Sequence, residues 1–62
     1  MNIKFNQEDI KSIDQDYPGQ QFFHKNEKVK VINPDNKYYS QKGKFIKVEK
    51  NKYNNDYIVK LN

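Results

Sequence analysis

The chain has no cysteine and no arginine, only two glycines and two prolines, and no apolar run longer than three residues. Each shortage excludes something. Without cysteine there is neither a disulfide framework nor a thiolate metal site to support a small fold, and a reducing compartment fits that composition. Apolar runs this short exclude a membrane-spanning helix and a signal-peptide core, so the chain reads as soluble, unprocessed and cytoplasmic. Two isolated glycines supply no phosphate-cradling loop and no nucleophile elbow. The single histidine, His24, has no partner at metal-ligand spacing, and Ser12 and Ser40 are the only hydroxyl nucleophiles besides tyrosine. Composition therefore predicts a non-enzymatic protein with no cofactor and no metal.

What is present points to a small β domain. Sixty-two residues make one domain, and a chain this short buries only about 60% of the surface it exposes when unfolded. Although 34% of residues are apolar, nine aromatics and ten Ile and Val are gathered in short alternating segments. Large rings bring much apolar area per residue, which is how so small a chain obtains a core. The net charge is +4, and all twelve basic residues are lysine. That balance favours an anionic partner. Asn, Lys, Ile, Tyr and Phe exceed half the chain, as an AT-rich genome dictates, so lysine content alone is not a binding signal. The missing arginines also weaken base-specific DNA readout, which leans on the guanidinium fork.

Along the chain, Ile3 and Phe5 alternate with polar neighbours and predict a strand. Asn6 and Asp9 form a near capping box, Phe5 and Ile10 stand at staple positions, and Ile10 and Ile13 share a helix face. Together these predict a helix of one or two turns ending near Asp14. The segment "DQDYPGQ" is a turn, and "QQFFH" after it is extended. Asn26 stands where a positive φ closes a tight turn. Val29 and Val31 alternate with Lys28 and Lys30 in a half-buried strand. Phe45 and Val48 are three apart, so placing both inside requires a bulge near Ile46 and Lys47. A two-residue turn at Asn54 and Asn55 then pairs Lys52 with Tyr57, Glu49 with Lys60 and Val48 with Leu61, with Tyr57, Val59 and Leu61 facing inward. Short strands separated by turn signals predict an all-β small barrel.

The stretch "NEKVKVINPDNKYYSQKGKFIKV" resembles the SH3-like small barrels, which open on a "KGD-V-V" strand, pass through a proline-containing loop with two aromatics and resume at "G-x-V-x-x-V". Similar outlines belong to the reaction-centre subunit IV of photosystem I and to the SH3-like subunit S of the photosynthetic NADH dehydrogenase-like complex, and more loosely to KOW domains. The resemblance runs from about Lys25 to Leu61. It implies an SH3-like β-barrel of about five strands with one short N-terminal helix: a single domain over 1–62, with 1–16 as strand plus helix and 20–62 as barrel strands. Ser40 and Asn26 stand where these families usually have glycine, and the family places a last strand and a helical turn beyond the position of Asn62. "NIKFNQEDIKSI" looks like that piece moved to the front, closing the barrel from the other end. The resemblance further implies a docking module, a peripheral subunit that receives an acidic carrier such as ferredoxin, in the cytoplasm or the plastid stroma. The KOW likeness implies instead a nucleic-acid- or ribosome-associated module of the kind a phage or plasmid would encode.

The candidate partner-binding residues are Lys37, Tyr38, Tyr39, Lys42, Lys44, Lys47 and Lys50. Adjacent residues of an extended chain point to opposite faces, so one of Tyr38 and Tyr39 packs on the core and the other lies at the surface. An exposed ring beside lysines stacks a base or anchors an interface. Lys42, Lys44, Lys47, Lys50 and Lys52 share one hairpin and suit an acidic protein or nucleic acid. The plainer reading is a solvated face that blocks edge-to-edge pairing.

Overall fold

Strands form where Val, Ile and Phe alternate with polar residues, and the computed structural model describes five of them within residues 1–13 and 23–62. They are β1 (Asn2–Phe5), β2 (Ile10–Ser12), β3 (Lys28–Val31), β4 (Lys42–Lys50) and β5 (Asn55–Leu61), with a 3₁₀ turn at Gln7–Asp9. All pair antiparallel in one sheet of order β1-β5-β4-β3-β2. The outermost strands, β1 and β2, are consecutive in the chain. A flat sheet would hold them four strand gaps apart, about 19 Å. The four linking residues, 6–9, include a 3₁₀ turn that rises about 2 Å per residue, and they do not reach so far. The sheet therefore curls on itself.

The concave side holds the core: Phe5, Ile10, Val29, Val31, Phe45, Tyr57, Val59 and Leu61, with Ile3, Phe23 and Tyr38 packed against it. The inward run Tyr57, Val59 and Leu61 is as the alternation predicts. Phe23 meets Phe45 and Tyr57 at ring-centroid distances of 5.4 and 5.9 Å, so aromatic contacts add to the aliphatic packing of Ile10, Val29, Val31, Val59 and Leu61.

Gly43 sits in β4 opposite Leu61. A Cβ there would lie 2.5 Å from the Lys60 carbonyl oxygen and 2.9 Å from Val59 Cγ1. Close backbone approach, not unusual φ, is what this glycine permits. Asn26 does adopt a positive φ of 70°, and so does Ser40 at 75°.

Two expectations need adjustment. The predicted helix is a single 3₁₀ turn, and Ile10 begins a strand instead of a helix face. Ile10, Lys11 and Ser12 alternate buried, exposed, buried and pair with Val31, Lys30 and Val29. Pairing with β3 outweighs the local helix signal, which spans too few residues to persist alone. The capping residues still act: Asp9 Oδ2 accepts a hydrogen bond from the Asn6 N–H at 3.0 Å.

The last hairpin turns two residues earlier than predicted. Glu49 pairs with Asp56, Val48 with Tyr57 and Gly43 with Leu61, and Lys60 faces Lys44. The turn is Asn51–Asn54, where the Asn51 side-chain oxygen accepts from the N–H groups of Tyr53 and Asn54 at 3.3 and 3.1 Å. The Asn51 amide also donates to Asp56 Oδ2 at 3.0 Å. One asparagine that satisfies three polar groups wins over the Asn54-Asn55 alternative. The bulge falls between Phe45 and Lys47, as the spacing of Phe45 and Val48 requires. It keeps both on the inward side, although Val48 at the rim remains 38% exposed. The turn predicted at 14–20 and most of the extended stretch after it lie outside the described residues.

Candidate functional site

Two consecutive asparagine turns shape the β3–β4 loop. Asn33 Oδ1 accepts from the Asp35 N–H and Asn36 Oδ1 from the Tyr38 N–H, both at 2.9 Å. The loop is tied to the 3₁₀ turn by Asp9. Its carboxylate, in a residue only 6% exposed, accepts from Asn33 Nδ2 at 2.7 Å, and its backbone oxygen accepts from the Ile32 N–H at 2.8 Å. Asp9 is thus a positioning residue for the loop. Sequence reasoning assigned it only to the helix start.

This scaffold splits the tyrosine pair. Tyr38 packs edge-on against Phe5 at 6.0 Å, with Lys37 Nζ 5.1 Å from its ring centroid. Tyr39 is 53% exposed. The split was expected, but its cause is a turn and not an extended strand.

The predicted lysines do not form one cluster. Lys47 pairs with Glu49 at 3.5 Å, and Glu49 also meets Lys4 at 3.8 Å. These groups are well exposed, so the pairs contribute little stability, but Glu49 offsets part of the positive charge at that end of the sheet. Lys50 stands on the rim of a shallow groove of about 310 Å³ with Phe23, Phe45, Val48 and Tyr57. Lys52 lies over the Tyr53 ring at 5.6 Å.

Lys42 and Lys44 belong to a different and larger assembly. On the outer face of the sheet, Lys11 is opposite Lys30 and Lys30 opposite Lys42. One row further along the strands, Lys28 is opposite Lys44 and Lys44 opposite Lys60. Six lysines thus occupy two rows across β2, β3, β4 and β5. Within a row, neighbours are about 4.8 Å apart at the backbone, and the rows are about 7 Å apart. Among the described residues, none of Lys28, Lys30, Lys42, Lys44 and Lys60 forms an ion pair. Like charges directly opposite each other destabilise a sheet, so these rows carry a folding cost. A concavity of about 300 Å³ opens within it, lined by Ile13, Lys28, Lys42, Gly43, Lys44 and Asn62.

Lys11, Lys28, Lys30 and Lys60 were not among the candidate residues read from the sequence, because register across distant segments gathers them. The alternation of lysine with valine in "KVKV" was the signal that could have found two of them.

No family model, curated protein or solved structure matches the chain. Among the described residues, no group of three or more His, Cys, Asp or Glu is placed to hold a metal ion, and no helix is long and apolar enough to cross a membrane.

Proposed function

We propose that this chain is a non-enzymatic binding module, an SH3-like small barrel that holds the phosphate backbone of nucleic acid without reading its bases. The observation that carries this is the field of Lys11, Lys28, Lys30, Lys42, Lys44 and Lys60, two rows of cations set in register on one sheet face. The curl that brings β1 and β2 to either end of one 3₁₀ turn supports the barrel architecture. Lysine is depleted in the cores of protein–protein interfaces, which are anchored by buried aromatics, and among the described residues this field contains no aromatic anchor. A lysine ammonium is a point charge that suits a phosphate in any sequence context, and with no arginine the commonest fork to guanine is absent.

A second reading is docking on an acidic protein, as a peripheral subunit of a larger complex such as a photosynthetic electron-transfer assembly. Exposed Tyr39, near Lys37 in the β3–β4 loop, favours it, since an exposed ring is the kind of anchor such interfaces use. Fluorescence anisotropy separates the two. Nucleic-acid binding through six lysines gives log affinity falling against log salt with a slope of about −4 to −5, at 0.7–0.9 per phosphate. The expected result is binding of mixed-sequence oligonucleotides with that slope and little sequence preference. Indifference to oligonucleotides at physiological salt, alongside binding to acidic proteins, would select docking.

A further inference from the structure

The lysine rows carry a consequence for the unbound domain. Lys44 faces a lysine on each side, and so does Lys30. Glu49, the nearest acid on β4, is already engaged by Lys4 and Lys47. Lys28, Lys42 and Lys44 line the concavity over Gly43, and among the described residues no Asp or Glu side chain lines it. A multivalent anion seated there turns repulsion between rows into attraction through a shared counter-charge.

We propose that this concavity is a seat for closely spaced phosphates, and that filling it stabilises the fold, so that folding of the domain is coupled to occupancy of the field. The chemistry is shared by inorganic polyphosphate and by a nucleic-acid backbone. The inference rests on the lysine field being an anion site, as the proposed function has it. It adds that the empty field weakens the protein that carries it. A chain of 62 residues has little stability to spare, so the coupling is large relative to the whole.

Thermal unfolding followed by circular dichroism tests this on the intact chain. In low-salt buffer, Lys44→Gln should raise the midpoint by about 2–8 °C, because it removes two like-charge pairs. Lys30→Gln, which removes the like-charge pair with Lys42 in the other row, should shift it in the same direction. Lys52→Gln, placed beside Tyr53 and outside the field, should not. The gain should vanish near 1 M salt, where the screening length is about 3 Å. Inorganic tripolyphosphate should raise the wild-type midpoint beyond sodium chloride of equal ionic strength, and Lys44→Gln should lose most of that increment. A midpoint unchanged or lowered by both Lys44→Gln and Lys30→Gln would overturn the inference, as would a tripolyphosphate effect no larger than that of matched chloride. Tripolyphosphate stabilisation without oligonucleotide binding would uphold the coupling and sink the nucleic-acid reading. Oligonucleotide binding with no rise for the two variants would do the reverse.

Discussion

At the scale of single residues, the backbone demands are sharply placed. Gly43 has no room for a side chain: its absent Cβ would meet the Lys60 carbonyl on the neighbouring strand. Gly43→Ala should therefore destabilise by about 1–3 kcal/mol and Gly43→Val by more, since backbone and not a flexible side chain must move. A denaturation midpoint equal to wild type for both would show that β4 and β5 are not so close at this point. Ser40 presents the opposite case. Its φ of 75° is strained for serine, so Ser40→Gly should gain about 0.5–1 kcal/mol, read as a higher midpoint at unchanged slope. The two positions were legible to different degrees. Asn26 was readable as a left-handed turn residue because asparagine tolerates that region. Ser40 was visible only through its likeness to a glycine position, since serine itself announces no positive φ.

At the scale of elements, local signals worked where the local chain decides and failed where a distant strand does. The bulge in β4 followed from the spacing of Phe45 and Val48 alone. The helix at Ile10 did not form, because β3 offers Ile10 and Ser12 a ladder that no window of neighbouring residues reveals. The hairpin register slipped because "NKYNND" contains three asparagines, each able to close a turn, and the choice depends on the hydrogen bonds that Asn51 makes once folded. The lysine field escaped for the same reason, as its rows exist only once strands far apart in sequence are in register. β1 gives the element-scale prediction. It pairs with β5 over its whole length and contributes Phe5, which is 2% exposed. Deleting residues 1–6 removes that ladder and a buried ring whose loss alone costs about 3–5 kcal/mol. The truncated chain should show collapsed amide dispersion by NMR; a well-dispersed spectrum would mean β1 is dispensable.

At the scale of the molecule, the fold separates its charges. Lys4 and Lys47 share the carboxylate of Glu49 at one corner, while the two lysine rows across β2 to β5 stand together on the outer face. With a net charge of +4, any basic protein attracts an anion weakly, so binding alone does not establish a site. Position must be separated from total charge. Two double variants do this, each lowering the net charge by two: Lys30→Gln with Lys44→Gln, at the centres of the two rows, and Lys47→Gln with Lys50→Gln, outside them. The decisive measurement is their affinity for one mixed-sequence oligonucleotide across a salt series. The lysine-field account predicts that the Lys30 and Lys44 variant loses at least about tenfold in affinity and that its slope shallows by about 1.4–1.8, the loss of two phosphate contacts. The Lys47 and Lys50 variant should keep nearly the wild-type slope. Equal losses and equal slopes in the two variants would contradict the account, reducing the field to a share of the net charge.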